Sequence, residues 1–228
     1  MQFLQNADFW IGLMKIVWIN IILSGDNAVV IALAARSLPP HQQKKAVFWG
    51  SGAAVVLRIL LTVVAAKLLE LSFLQIVGGC LLLWIGFQLL SDDDADEGES
   101  KTYSTLMAAV QTILIADLVM SLDNVIAVAA AAQGNATLLI LGLAISIPLV
   151  IFGSTLMIKL MERFPFIVVL GAALIGWVGG ETIASDAILH DYALAHPALH
   201  YVAAALGATL VVGIGKFWPS KARRESAA

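Results

Sequence analysis

Charged residues are scarce in this chain, and cysteine is almost absent. Asp, Glu, Lys and Arg make up only 13% of the 228 residues, whereas hydrophobic residues make up 60%. With a mean hydropathy of +0.91, the composition excludes a soluble globular domain and indicates a polytopic membrane protein. The single cysteine, Cys80, cannot form an intramolecular disulfide and carries no information about the redox compartment. No nucleic-acid partner is expected.

The chain does contain a series of apolar runs long enough to cross a bilayer. A transmembrane helix needs about 20 apolar residues, and the period-2 alternation of barrel strands is absent. The first run is too long for the apolar region of a cleaved signal peptide, so it is kept as a span. The sequence therefore predicts an all-α membrane protein, a single membrane domain over residues 1–228 with seven transmembrane helices. The predicted spans lie near residues 9–35, 46–69, 72–90, 105–132, 136–159, 165–184 and 199–217.

The distribution of Lys and Arg predicts the orientation in the membrane. If there are seven helices, one side receives almost all the basic residues of the loops and the tail, and the other side has little beyond Lys67. The positive-inside rule then places the N-terminus outside and the C-terminus in the cytoplasm of a cell inner (plasma) membrane. A helix count wrong by one would reverse this orientation. The basic residues on the cytoplasmic side are Arg36, Lys44, Lys45, Lys101, Lys159, Arg163, Lys216, Lys221, Arg223 and Arg224.

A polar motif inside the apolar runs occurs twice, at an offset of 97 residues. Asp26-Asn27 returns as Asp123-Asn124, Ser24 matches Ser121, and Asn20 matches Asp117. Since each half has three predicted helices, the second half enters the membrane upside down, as in the inverted repeats of secondary transporters. The two Asp-Asn pairs would then converge near the membrane midplane. The predicted parts are repeat one (about 9–90), an acidic cytoplasmic loop (91–104), repeat two (about 105–184) and a seventh helix (about 199–217).

The repeated motif predicts a cation site built from oxygen atoms. Carboxylates inside a membrane are costly and usually face a partner or a water-filled path. On a helix, Asn20, Ser24 and Asn27 share one stripe with Asp26 beside it. The second half repeats this stripe, and the sixth helix adds Glu181, so that four carboxylates could meet in the interior. The second stripe consists of Asp117, Ser121 and Asn124, with Asp123 beside it.

Hard divalent cations are the ions that such oxygen ligands prefer. Mn²⁺, Mg²⁺ and Ca²⁺ take carboxylate, carboxamide and carbonyl oxygens, whereas Cu and Zn favour imidazole or sulfur. The four histidines fall in or near predicted helix ends and loops, which argues against the softer metals. The acidic loop 91–104 is interpreted either as a solvated linker or as a mouth that collects cations.

Several residues also have structural interpretations that the sequence leaves open. The Asn and Ser side chains could form hydrogen bonds between helices. Asp26 or Asp123 could form an ion pair with Arg58 or Lys15. Arg58 could be a counter-ion of the site, or its long side chain could reach the membrane interface. Gly25 could allow the first helix to unwind, although Leu122 occupies the matching position in the second half. Weaker site candidates are Gln88, Gln111 and Asp186.

The motifs Ser24-Gly-Asp-Asn-Ala-Val-Val-Ile-Ala, Ser121-Leu-Asp-Asn-Val-Ile-Ala and Gly176-Trp-Val-Gly-Gly-Glu, with the acidic central loop, resemble the TerC family of integral membrane proteins. The resemblance covers about residues 10–217. It implies membership of the LysE-like transporter superfamily, whose bacterial members include manganese exporters, and a historical link to tellurite resistance. The acidic motif residues of the family correspond here to Asp26, Asp117, Asp123 and Glu181, with Asn27 and Asn124 beside them.

The expected function is export of a divalent cation, Mn²⁺ before Ca²⁺ or Mg²⁺, through a midplane site; manganese and the export direction come from the resemblance. The cation is substrate, and no permanently bound cofactor is expected. Exchange for protons is plausible because burial favours the neutral carboxyl. The partners expected are the divalent ion, the lipid bilayer and, as possibilities, a second copy or other membrane proteins.

Two other function classes remain open at this level. A non-transporting partner that delivers metal, or that is associated with tellurite resistance, would use the same site. An intramembrane aspartyl protease would also use two carboxylates, but the residues before Asp26 and Asp123 do not match the patterns of such proteases. The chain is therefore not expected to be an enzyme. Direct tellurite transport is disfavoured because carboxylates repel an oxyanion.

Overall fold

A computed structural model of the protein describes residues 7–68, 71–91, 106–132 and 135–217. This part of the chain is helical and contains no β-strand, which confirms the all-α prediction. Apart from Ser91, the predicted acidic loop lies outside the described residues. The helices are α1 (Ala7–Leu23), α2 (Gly25–Arg36), α3 (Pro40–Leu68), α4 (Leu74–Ser91), α5 (Leu106–Ala132), α6 (Ala136–Arg163), α7 (Phe166–Ala184), α8 (His190–Ala195) and α9 (Ala198–Phe217), with a 3-10 helix (Ala187–Leu189) before α8.

Five of these helices, α3, α4, α6, α7 and α9, are long and apolar enough to cross a membrane. Two further spans result if each of two bent pairs counts as one: α1 with α2, bent by 49°, and the two parts of α5, bent by 65° between Leu122 and Asn124. The described residues therefore contain five to seven candidate spans. Both bends coincide with the repeated Asp-Asn motifs. The count of seven stays a prediction.

Two predicted span boundaries differ from the helices. The second helix begins at Pro40 rather than near residue 46, because proline fits the first turn, where its missing N–H has no intrahelical partner to lose. The fifth continues past residue 159 to Arg163. In addition, the connection before the last helix contains the short helix α8, which apolar runs could not reveal because it has only 6 residues.

Large apolar side chains cover much of the outer surface. Trp18, Trp49 and Phe152, for example, are 64%, 62% and 70% exposed. In water such a surface would associate or aggregate, whereas a lipid bilayer solvates it. The exposed aromatic side chains thus agree with an integral membrane protein.

The helices pack in pairs around α2, the most completely buried of them. Its residues Asn27 to Ala35 are all buried, as expected for a helix that is apolar on every side. α3 packs against α5, and α6 packs against both α1 and α2. α7 packs against α4 and α9. The largest hydrophobic cluster joins Val30 and Leu33 of α2 to Leu82 of α4, Ile113 of α5 and Ile175 of α7.

Glycine allows α7 and α9 to approach closely. A Cβ atom added to Gly176 would lie 2.6 Å from the carbonyl oxygen of Gly207, and one added to Gly207 would lie still closer to the carbonyl of Gly176. Real Cβ atoms do not come this near to a backbone oxygen, so both positions require glycine while the helices keep their separation. Of the other glycines of α9, Gly215 also has close neighbours, whereas Gly213 faces open space.

Gly207→Ala should therefore lower the free energy of unfolding by about 1–3 kcal/mol, the usual effect of overpacking a tight contact. SDS-induced unfolding of the purified protein in mixed micelles measures this difference. Gly213→Ala is the matched control, since it adds the same methyl group to the same helix where nothing lies within 4 Å. Equal stability of the two variants would contradict the close contact between α7 and α9.

Candidate functional site

The first Asp-Asn motif lies at the break between α1 and α2. Ser24 separates the two helices and donates a hydrogen bond from its hydroxyl to Oδ1 of Asn20 (3.3 Å). Oδ1 of Asp26, in the first turn of α2, accepts from the backbone N–H of Asn27 (2.8 Å). The first N–H groups of a helix have no intrahelical partner and attract negative charge, so a break at Ser24 favours a carboxylate at position 26. The break directly precedes Gly25, the residue that the sequence suggested could allow the first helix to unwind.

Arg58 of α3 connects the first and second motifs. Its Nη1 donates to Oδ1 of Asn20 (2.9 Å), its Nε donates to Oγ of Ser121 (3.0 Å), and its Nη2 pairs with Oδ1 of Asp117 (2.6 Å). The hydroxyl of Ser121 in turn donates to Oδ2 of Asp117 (3.1 Å). Arg58 is only 4% exposed and Asp117 only 6%. Arg58 is therefore a buried counter-ion, and the alternative in which it reaches the membrane interface is wrong.

Asp117 and Ser121 stand one helical turn apart on α5, just before its bend. The bend itself falls at the second motif, between Leu122 and Asn124. A leucine at position 122 thus does not prevent a change of direction that matches the break beside Gly25. The side chain of Asn124 is half-buried, and that of Asp123 lies outside the described part of the structure.

Asp26 belongs to the same region of the molecule as the Arg58 network. Its half-buried carboxylate is near enough for electrostatic interaction with both Arg58 and Asp117. The ion pair for which the structure gives a distance, however, joins Arg58 to Asp117 and not to Asp26. Lys15, the other basic candidate, is exposed on α1.

Glu181 is not brought into this cluster by the described contacts. Its side chain is exposed on α7, near the end of that helix. Among the side chains that the structure describes, no three His, Cys, Asp or Glu residues form a group that could hold a metal ion. The structure thus gathers Asn20, Ser24, Arg58, Asp117 and Ser121, with Asp26 nearby. Addition of Asp123 to this group stays a prediction, and the expected fourth carboxylate, Glu181, is exposed on α7 rather than gathered with the others.

A cavity of about 220 Å³ lies beside the break in the first motif, between α1, α2 and α6. Asn20, Ser24 and Ser146 provide its polar groups, and small residues leave the space open: a Cβ added to Gly25 would meet nothing within 4 Å. The hydroxyl of Ser146 donates to the carbonyl of Gly142 (3.0 Å), and its oxygen can still accept. The polar side chains at the break between α1 and α2 therefore border a cavity.

Asp186, a weak site candidate in the sequence, has a structural role instead. It is fully buried after α7, and its carboxylate accepts backbone N–H groups of Phe73 (3.0 Å), Gln75 (3.1 Å), Ile76 (3.2 Å) and Ile188 (3.0 Å). Burial alone raises the pKa of this carboxyl, but the four donors outweigh burial, and the pKa lies below its ordinary value of 3.8. The position of Asp186 directly before the 3-10 helix is typical of an N-cap residue, which the sequence could have revealed. Its hydrogen bonds to the start of α4, more than 100 residues earlier, could not be predicted from the sequence.

Comparison with known proteins places the chain among membrane proteins. The family model described as "Integral membrane protein TerC family" matches residues 5–224. The membrane protein YjbE of Bacillus subtilis is 44% identical over 192 residues, which cover 84% of this chain and 88% of that protein. The inner membrane protein YoaE of Escherichia coli is 27% identical over 94% of this chain, and the match spans only 44% of its own length. No solved structure matches this chain.

Proposed function

We propose that this chain, which belongs to the TerC family of integral membrane proteins, is a transporter that exports a divalent cation, with Mn²⁺ as its substrate. The observation that carries the proposal is the buried cluster at the helix breaks, where every side chain apart from Arg58 offers oxygen. Carboxylate, carboxamide and hydroxyl oxygens are ligands of hard cations. The proposed site comprises Asp26, Asn27, Asp117, Asp123 and Asn124, with Glu181 as a more distant member.

The helix packing supports an inverted repeat around this site. Ile16 of α1 meets Gly142 of α6, and Ile113 of α5 meets Gly50 of α3. Ile16 and Ile113 lie 97 residues apart, and Gly50 and Gly142 lie 92 apart, so the two contacts are equivalent under exchange of the halves. Breaks at both Asp-Asn motifs also suit such a repeat, since discontinuous helices at the repeat interface commonly form ion sites in secondary transporters.

Location and direction complete the proposal. The E. coli relative is named an inner membrane protein. We place this chain in the same kind of membrane, with the N-terminus outside and the C-terminus in the cytoplasm, because the basic residues then lie inside. Export and manganese rest on the family resemblance, and assignment to the LysE-like superfamily stays a prediction. No enzymatic step is part of the proposal.

Mn²⁺ flux into inverted vesicles or proteoliposomes tests the function. We expect Asp26→Asn and Asp123→Asn each to lower the initial rate about tenfold or more, because each removes a charged ligand while keeping the side-chain shape. Asp191→Asn is the matched control, since Asp191 is exposed on α8. Unchanged flux in both motif variants would show that the site is wrong.

The same preparation separates the alternatives. Mn²⁺ binding to the purified wild-type protein without any flux would favour a protein that delivers metal over a transporter. Cleavage of a membrane reporter that Asp123→Asn abolishes would favour an intramembrane protease. Flux of Ca²⁺ or Mg²⁺ in preference to Mn²⁺ would support the proposed site but show that its substrate is a different divalent cation.

A further inference from the structure

The guanidinium of Arg58 binds three oxygen atoms of the proposed site region. It contacts a carboxamide oxygen of α1 and a hydroxyl and a carboxylate of α5 at 2.6–3.0 Å. These are the ligand types that a hard cation would take from the same two helices. Asp117 is thus both a proposed cation ligand and the partner of an internal cation.

A divalent cation and the guanidinium cannot both bind the carboxylate of Asp117 at the same time at low energetic cost. Both carry positive charge, and their mutual repulsion is strong where water is largely excluded. Arg58 and Asp117 are 4% and 6% exposed, so little solvent is available to weaken this repulsion. Cation binding through Asp117 therefore requires the guanidinium to move away from that carboxylate.

The contact between α6 and α1, which is equivalent to the contact between α3 and α5 under exchange of the two repeats, supplies a comparison. The equivalence of Gly50 with Gly142 places Val150 of α6 where α3 has Arg58, and the motif offset places Asn20 where α5 has Asp117. At the contact between α6 and α1, Asn20, Ser24 and Val150 line the cavity of about 220 Å³. The contact between α3 and α5 thus contains a carboxylate paired with an arginine, whereas the equivalent contact between α6 and α1 contains a neutral amide beside a cavity.

We propose that Arg58 is an internal counter-cation that competes with the transported cation for Asp117 and thereby weakens cation binding. This inference rests on the proposed function. In the cation-free state the guanidinium neutralises Asp117; cation binding displaces it, and its return to Asp117 promotes release. When only a fraction of molecules is competent to bind, the apparent affinity falls by that fraction.

Mn²⁺ binding to the purified protein, measured by calorimetry, tests the competition. Arg58→Gln should lower the Kd about tenfold, the change expected if the guanidinium holds Asp117 in roughly nine molecules of ten. Arg58→Lys keeps the charge, so the carboxylate stays compensated and the fold is retained. Since lysine lacks the planar fork that contacts all three oxygens, it should compete less well and lower the Kd about threefold. A purely structural arginine would give weaker or unchanged binding in both variants.

Two further variants make the result specific. Lys15→Gln removes an exposed basic residue of α1 and should leave the Kd unchanged. Asp117→Asn added to Arg58→Gln should abolish the gain in affinity, because the released carboxylate is gone. If Arg58→Gln does not fold, Arg58→Lys decides alone: an unchanged or raised Kd overturns the inference. Absence of any Mn²⁺ binding by the wild-type protein, or binding that Asp26→Asn leaves intact, would instead overturn the proposed function.

Discussion

Replacing Asp117 by alanine is expected to lower the free energy of unfolding by about 3–5 kcal/mol, the largest loss among the single substitutions considered for this chain. The reason is the guanidinium that remains. Arg58 is buried, and its 2.6 Å partner would be gone, while Asn20 and Ser121 offer only neutral oxygens. An uncompensated charge away from water is far more costly than a missing neutral contact.

A double substitution shows whether the loss comes from the remaining charge. Arg58→Met combined with Asp117→Leu removes both charges and keeps apolar volume in their place. This variant should recover most of the stability lost in Asp117→Ala, because replacing a buried ion pair by apolar residues is often neutral. SDS-induced unfolding in mixed micelles gives both values. If Asp117→Ala lies within about 1 kcal/mol of the wild-type protein, water reaches Arg58 and the pair is not buried as described.

The second large effect is expected at Asp186, where alanine should lower the free energy of unfolding by about 3 kcal/mol. The substitution removes the acceptor of four backbone N–H groups at once. Three of them belong to residues 73–76, where α4 begins and where Phe73 has a positive φ of 68°. A non-glycine residue persists in this conformation only when its surroundings hold it, and the bond to Asp186 is one such restraint.

The same unfolding assay, with Asp191→Ala as control, checks the effect of Asp186. Asp191 is an exposed carboxylate five positions further along, so its removal should change stability by no more than about 0.5 kcal/mol. Because the pKa of Asp186 is lowered in the folded protein, its contribution is complete well above pH 3.8 and is lost as the pH falls through the folded pKa. Equal stability of the two variants at neutral pH would show that Asp186 does not hold the start of α4.

The pattern of apolar runs predicted much of the helical architecture. At the repeated motif, the sequence suggested a possible interruption only beside Gly25. The structure bends at both motifs, including the second, where Leu122 stands in place of the glycine. The predicted start of α3 was six residues too late because its first turns are polar, and α8 was missed because it has only 6 residues. A search for long apolar runs detects candidate spans. It does not detect short or polar helical segments.

The predicted site residues likewise divide into those that the structure brings together and one that it does not. The sequence singled out Asn20, Ser24, Asp117 and Ser121, and the structure brings these four together. Glu181 was predicted to join them, but its side chain is exposed. Helical periodicity states which residues share a face of one helix, whereas the direction in which that face points depends on the neighbouring helices.

The sequence by itself determined that this is a helical membrane protein with a duplicated oxygen-rich motif, because composition, run length and periodicity are local properties of the chain. Only the tertiary structure decided which charges meet. Arg58 pairs with Asp117 across 59 positions of sequence, and Asp186 reaches Phe73 across 113. Such contacts depend on which helices pack together, and a buried charge takes whatever partner that packing brings within hydrogen-bonding distance.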